Sequence, residues 1–357
     1  MKGFKIFLKI FLTVICALIL VVGVFIIYSA ITTYHPSDKE NIEIKGNTTS
    51  KVNKNKELNL LSWNVGYFGL DEEEDFFMDG GKMVRAQSKE KVVENGNAIT
   101  KKINELNPDF VLLQEVEAQA KRSYYVDELN LIDELVAKNI YDRTYAINYR
   151  SGYVPYPFPT TIGRVEAGLV SLSKYKVEEA SRIQLPIPFS WPISMFNLKR
   201  CLLINRVKIE GSDKELVMVN LHLEAYDSGE GKIAQTKMLK EFIDKEYEKG
   251  NYVIAGGDFN QTFSNVKNKY YKDDAIWKPG DIDINDFKGY SLLMDDKNPT
   301  CRSLQKILKG DNKETFPYYV IDGFIVSSNV KVNNLETLNY EFKNTDHNPV
   351  LLKIELV

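Results

Sequence analysis

Tyr252-Val253-Ile254-Ala255-Gly256-Gly257-Asp258-Phe259-Asn260 is a short apolar run that ends in two glycines, an acid and, two residues on, an amide. Apolar residues in so short a run read as a buried strand. The glycines allow a sharp backbone path and a close approach by something else, a phosphate included. Asp258 and Asn260 leave the strand end on alternate residues and so point to one side. A carboxylate beside a carboxamide in that position can hold and activate a water. A plain Gly-Asp turn gives the same letters, so the rest of the chain has to decide.

Working outward, the same design recurs. Leu58 to Val65 reads as a strand containing Trp63 and Asn64, and Phe110 to Leu113 as a buried strand leading into Gln114-Glu115. Between them Val92, Gly96, Ile99, Ile103 and Leu106 fall at helical spacing within Ser88–Leu106, which Asn107-Pro108 stops. Leu129–Ala137 reads as a second helix, and Gly168–Ser173 and Cys201–Ile209 as strands. Leu216 to Leu223 is another, carrying Asn220-Leu221-His222. An amphipathic helix over Lys232–Lys249 leads into the opening strand. Val320 to Val326 carries Asp322, and Thr345-Asp346-His347-Asn348 precedes a last strand over Val350–Leu356. Strands alternating with helices predict a layered α/β fold. Asn64, Glu115, His222, Asp258 and Asn260 sit at strand ends, and His347 precedes a strand, so one sheet rim can collect all six. Acids, amides and histidines are poor core material unless paired.

The series Ser62-Trp63-Asn64, Gln114-Glu115, Asn220-Leu221-His222-Leu223, Gly257-Asp258-Phe259-Asn260 and Thr345-Asp346-His347-Asn348-Pro349 resembles the exonuclease–endonuclease–phosphatase superfamily, with all five motifs in family order. That group includes deoxyribonuclease I, exonuclease III and bacterial sphingomyelinases. The resemblance implies two mixed β-sheets packed as a sandwich with helices on both outer faces, an α-β-β-α arrangement. It implies hydrolysis of a phosphodiester or phosphate ester by direct attack of an activated water. Glu115 matches the metal-binding glutamate, with Asn64 beside it on metal or phosphate. The metal implied is magnesium, with manganese as a substitute, a hard ion that takes oxygen ligands. Asp258 matches the residue that primes the water, and Asn260 the one that orients it. His347 matches the catalytic histidine, Asp322 the acid that fixes it, Asp346 a further acid, and His222 a second histidine. Arg302, in Pro299-Thr300-Cys301-Arg302, is a candidate for gripping phosphate, an ordinary salt bridge being the plainer reading. An inactive binding module with this fold would show gaps among the acids and histidines, and no matched position is replaced.

The totals frame these motifs. The 357 residues are 44% hydrophobic and 27% charged, as in a globular protein. The exception is Ile10–Ala30, an uncharged apolar stretch long enough to span a bilayer. Lys2, Lys5 and Lys9 precede it and no acid appears before Asp38, which predicts residues 1–9 inside, a retained anchor over 10–31 and the rest outside the cell. A cleaved signal peptide is the alternative, but Tyr28 stands where a small residue is wanted. Residues 32–57, polar and without periodicity, read as a flexible linker whose coil would span roughly 25–30 Å. Residues 58–357 read as one catalytic domain.

Beyond the anchor, 43 basic residues face 49 acidic ones, a net −6, which excludes a protein that holds nucleic acid by charge alone. Nucleic acid, a lipid headgroup and a small phosphate ester all stay open as substrates, so an extracellular nuclease and a sphingomyelinase-like lipid phosphodiesterase are both alternatives; no protein partner is implied. The aromatic, proline-rich stretch Ile187–Phe196, with Phe189, Trp191 and Met195, reads as membrane contact, packed core or pocket wall. Cys201 and Cys301 read as two buried thiols or one disulfide. No Cys-x-x-Cys or histidine cluster suggests zinc.

Overall fold

Leu58 and Leu60 on one strand and Leu112 on its neighbour meet Met218, Ile254 and Phe324 across an interface that excludes water. These residues belong to two seven-stranded mixed sheets stacked face to face in a computed structural model that describes residues 2–138, 140–272, 275–310 and 312–357. The first sheet runs Lys39–Asn41, Val177–Gln184, Cys201–Lys208, Glu215–His222, Tyr252–Asp258, Asp322–Ser327 and Tyr290–Leu293. The second runs Val330–Thr337, Val350–Leu356, Leu58–Asn64, Phe110–Glu117, Gly163–Ser173, Asp142–Val154 and Ile44–Lys45.

Period-two alternation explains the layers. Leu58 and Leu60 face the other sheet, whereas Leu61 and Trp63 face outward and are covered by Val92, Ile99 and Ile103 of helix Lys89–Leu106. Ser88 caps that helix by accepting from the Lys91 amide, and Asn107 ends it in a left-handed conformation. On the far side, Val217, Val219, Val253 and Ile325 are covered by Leu239 and Ile243 of helix Glu230–Glu248. The fold is thus the α-β-β-α sandwich. Within each sheet one parallel pair sits at the centre: Leu58–Asn64 with Phe110–Glu117, and Glu215–His222 with Tyr252–Asp258. Parallel pairing puts Asn64 opposite Gln114 and His222 opposite Asp258, so four C-terminal strand ends share one rim.

Two expectations are corrected. Residues 32–57 do not hang free: Lys39–Asn41 pairs with Val177–Gln184 at one sheet edge, Ile44–Lys45 pairs with Asp142–Val154 at the other, and Val52 is fully buried. Edge strands join by backbone hydrogen bonds, which polar sequence supplies as well as apolar sequence does. The tyrosine-, proline- and phenylalanine-crowded stretch Tyr149–Thr161, which reads from its letters as a loop, is strand as far as Val154, because the backbone of Asp142–Val154 stays paired with Gly163–Ser173 up to that residue. Lys2–Thr32 forms a single 31-residue helix with exposed apolar side chains, by length and composition a candidate to cross a membrane.

Candidate active site

Asp258 lies at the meeting point of the rim. Its Oδ1 accepts the Asn260 amide at 2.8 Å, and its Oδ2 accepts from the Asn64 carboxamide of the opposite sheet at 3.0 Å. His222 Nε2 lies 3.4 Å and His347 Nε2 3.8 Å from the same Oδ2. Asp322, paired with Asp258 in register across antiparallel strands, holds His347 Nδ1 at 2.8 Å. The loop carrying His347 is fixed by Trp63, whose indole N–H donates to the His347 carbonyl at 2.9 Å.

Glu115 reaches the rim through a strained backbone. The pairing of Phe110–Glu117 with Gly163–Ser173 slips between Leu113 and Val116, and Glu115 has φ +57°. Such a bulge re-aims a side chain, and a left-handed non-glycine residue persists only where its surroundings hold it. Here Gln114 donates to Asn220 Oδ1 at 2.8 Å across the buried sheet interface, while Asn220 donates to the carbonyls of Leu113 and Val170. That bridge fixes both sides of the bulge. Glu115 Oε1 then accepts from Asn64 at 3.1 Å.

Burial sets the charges. It pushes the Asp258 carboxyl up to about 7, helped by nearby Asp322. It pushes Asp346 up to about 6, though His347 opposes it. Burial alone would discharge His347, but the Asp322 carboxylate outweighs it and holds the imidazolium well above its ordinary range. His222 goes the other way, well below its ordinary value, because it is buried and faces Arg200 and cationic His347. Two histidines in one site therefore differ in charge at neutral pH: His347 is cationic and His222 neutral.

These residues open into one cleft of about 540 Å³, which Glu115, Asp258, Asn260, His222, Asp346 and His347 line. The donor set suits a hard divalent cation, since Glu115 and Asp346 bring carboxylate oxygens and burial has raised the Asp346 carboxyl to about 6, a cost that a countercharge would offset. Two tighter groups, Asp258/Asp322/His347 and Cys301/Asp346/His347, also have ligand geometry. A cationic imidazole and a thiol pushed up to about 12 by burial make both poor cages.

Three expected roles meet different geometry. Asn64 turns its oxygen to the Gly66 amide, so its NH₂ faces Glu115 and Asp258 and orients both acids. The Arg302 guanidinium is buried and donates to the carbonyls of Ser303, Leu70, Asp71 and Glu74, which makes it a clamp on the acidic loop. Gly256 and Gly257 serve packing: a Cβ at Gly257, φ +149°, would sit 2.0 Å from the Leu221 carbonyl oxygen, and one at Gly256 2.4 Å from the Phe324 ring.

Arg200 was not singled out in the sequence. It is 3% exposed, lines the cleft beside His222, and is held only loosely, with Nη1 3.5 Å from the His222 carbonyl and Nε 3.8 Å from Glu224. The signal was available: Lys199-Arg200 directly precedes the apolar strand that neighbours the His222 strand.

Residues 61–289 match the endonuclease/exonuclease/phosphatase family model. The chain belongs to that family. The match takes in Asn64, Glu115, His222 and Asp258, and the fold itself adds Asp322, Asp346 and His347. Among solved structures, an endonuclease/exonuclease/phosphatase from Beutenbergia cavernae superposes with a TM-score of 0.56 at 16% identity, over 84% of this chain and 72% of that one. A namesake from Bacteroides vulgatus gives 0.52 at 17%, over 85% and 100%. The human nocturnin catalytic domain with bound sulfate gives 0.51 at 14%, over 88% and 97%. At these identities the likeness is one of fold. No curated protein matches the chain in sequence.

Proposed function

We propose that this family member is a divalent-cation-dependent phosphoesterase, anchored by helix Lys2–Thr32 with its catalytic domain outside the cell. The observation that carries the reading is the arrangement around Asp258: a poised carboxyl, a cationic His347 backed by Asp322, and a neutral His222, all within 4 Å of one oxygen or its partner.

Asp258, near neutrality in its pKa, accepts a proton from the attacking water, and the Asn260 amide fixes the carboxylate's other oxygen. The water oxygen bonds to phosphorus as the ester P–O bond breaks. The imidazolium of His347 gives its Nε2 proton to the departing oxygen, and the proton on Asp258, 3.8 Å away, restores it. Asp322 stabilises that cation and holds its ring. His222, kept neutral, donates a hydrogen bond and not a proton. Arg200, loosely held in the cleft, supplies a guanidinium for a phosphoryl oxygen, the role Arg302 is too engaged to take. A cation held by Glu115 and Asp346, magnesium by preference, would polarise the phosphoryl group and offset developing negative charge.

The test is hydrolysis of bis(p-nitrophenyl) phosphate by the detergent-solubilised full chain, with magnesium or with EDTA. Turnover that requires the cation and falls at least a hundredfold in Glu115→Gln supports the reading. Turnover indifferent to EDTA contradicts it.

A further inference from the structure

Taking the phosphoesterase reading as its base, we propose that the cleft is entered from the bilayer and that its substrate is the phosphate ester of a membrane lipid. The argument starts from where the apolar helix stops. Lys2, Lys5 and Lys9 stay out of hydrocarbon, so about 20 residues counted from Ile10 carry the span to the neighbourhood of Ser29. Phe25 lies seven residues before the helix end at Thr32, about 10 Å below it at 1.5 Å per residue. By that count it lies four residues before Ser29, about 6 Å inside the boundary between headgroups and acyl chains.

The catalytic domain touches the helix at that depth. Phe25 stacks on Phe196 with ring centres 6.0 Å apart and meets Tyr153 edge-on at 6.3 Å. The seat is rigid: Thr33 Oγ1 donates to the Met195 carbonyl at 2.9 Å, and the Tyr34 amide donates to the Arg150 carbonyl at 3.1 Å. A Cβ at Gly152 would lie 2.4 Å from Thr32 Oγ1, so the strand backbone lies directly against the helix end. A loose tether would have left the domain's orientation free; this contact fixes it.

Phe196 also lines the catalytic cleft, with Val154, Tyr156, Phe189 and Ile193. The apolar wall that leads to Asp258 is thus continuous with the surface lying at the acyl boundary. Around it the same two loops expose Phe158 at 89%, Trp191 at 66% and Tyr156 at 62%. Large aromatic side chains left in water on adjoining loops mark a surface that something apolar covers, and Trp and Tyr favour the membrane interface. The helix beside them makes that cover a bilayer. A lipid can keep its chains in the membrane, or along this wall, while its phosphate reaches Arg200 and His222. The net −6 of the external domain gives no comparable support for a polyanion.

The experiment uses the full chain in proteoliposomes of phosphatidylcholine, phosphatidylethanolamine, phosphatidylglycerol and sphingomyelin in equal parts. Lipid loss is followed by phosphorus NMR. The same preparation is offered short-chain, water-soluble counterparts, plasmid DNA, and bis(p-nitrophenyl) phosphate as a reference. The expected result is at least one bilayer lipid consumed tenfold or more faster than its soluble counterpart. The double variant Phe158→Asp/Trp191→Asp should be tenfold slower on vesicles and unchanged on bis(p-nitrophenyl) phosphate. Equal rates on bilayer and soluble forms, an unaffected double variant, or cleavage of DNA with every lipid intact would each overturn membrane entry. Failure of the unmutated chain to hydrolyse any of these substrates, the reference included, would overturn the phosphoesterase reading itself, which separates the two failures.

Discussion

The two ends of one strand pair, Glu215–His222 and Tyr252–Asp258, bury charge in opposite ways. At the starting end, Glu246 accepts from Arg206 through both oxygens at 2.7 and 2.9 Å, and also from Lys249 and Asn251. Arg206 bonds Glu215 as well. Burial works against that carboxylate, but its donors win and take Glu246 down to about 2. At the finishing end, burial and the repulsion of one acidic neighbour, Asp322, outweigh two hydrogen-bond donors on Asp258, and its pKa rises to about 7. Asp322 Oδ1 and His222 Nδ1 find no partner there among the described residues. Beside one strand pair the outcomes are opposite: one end is satisfied and holds the fold, the other is left short of partners and is available to a substrate.

That contrast can be broken from either end. The largest effect is expected from Asp258→Asn, which should cost roughly 10³-fold in kcat/KM, about 4 kcal/mol, as loss of a general base does. Because a carboxyl that resists ionisation is removed, the melting temperature should hold or rise. Coupled loss of activity and fold would erase the distinction. Glu246→Gln should do the reverse, lowering stability by roughly 2–3 kcal/mol through its lost charged hydrogen bonds while kcat/KM in the folded protein is unchanged. Urea unfolding followed beside hydrolysis separates the two. Arg200→Ala should raise KM or lower kcat/KM by roughly tenfold, about 1.4 kcal/mol, and leave urea unfolding unmoved. A stability loss instead would make Arg200 structural.

The smallest effect is in the pH dependence, and its sign differs between the ends. Glu246 has a depressed pKa, so its contribution is present above the ordinary value of 4.5 and is lost as pH falls toward about 2. Asp258 has a raised one, so without a bound cation its contribution favours low pH and is lost as pH rises from 3.8 to about 7. Urea midpoints in EDTA across pH 2–8 should show each slope flattened only in the matching variant. Identical profiles for Glu246→Gln and Asp258→Asn would contradict the contrast.

The sandwich was legible because its centre is written in short apolar runs that end in polar residues. Leu58–Asn64, Phe110–Glu117, Glu215–His222 and Tyr252–Asp258 are all of this kind. The six rim residues could be named for the same reason, since a buried acid or histidine at a strand end has few bland explanations. Less was visible at the edges. Lys39–Asn41 and Ile44–Lys45 join sheets through backbone groups, which leave no side-chain pattern, so their segment reads as linker. Side-chain direction was hidden too. Nothing in the letters says that Asn64 turns its oxygen to Gly66, or that Arg302 spends its donors on loop carbonyls while Arg200 keeps a looser hold.

The central claim is that the crowded end hydrolyses a phosphate ester by attack of water on phosphorus, with a divalent cation. Turnover of bis(p-nitrophenyl) phosphate in ¹⁸O-water by the full chain with magnesium tests it most directly. One ¹⁸O in each p-nitrophenyl phosphate released, and no release in EDTA, is the predicted result. Label in p-nitrophenol, or no hydrolysis by a folded, magnesium-supplied chain, would contradict it.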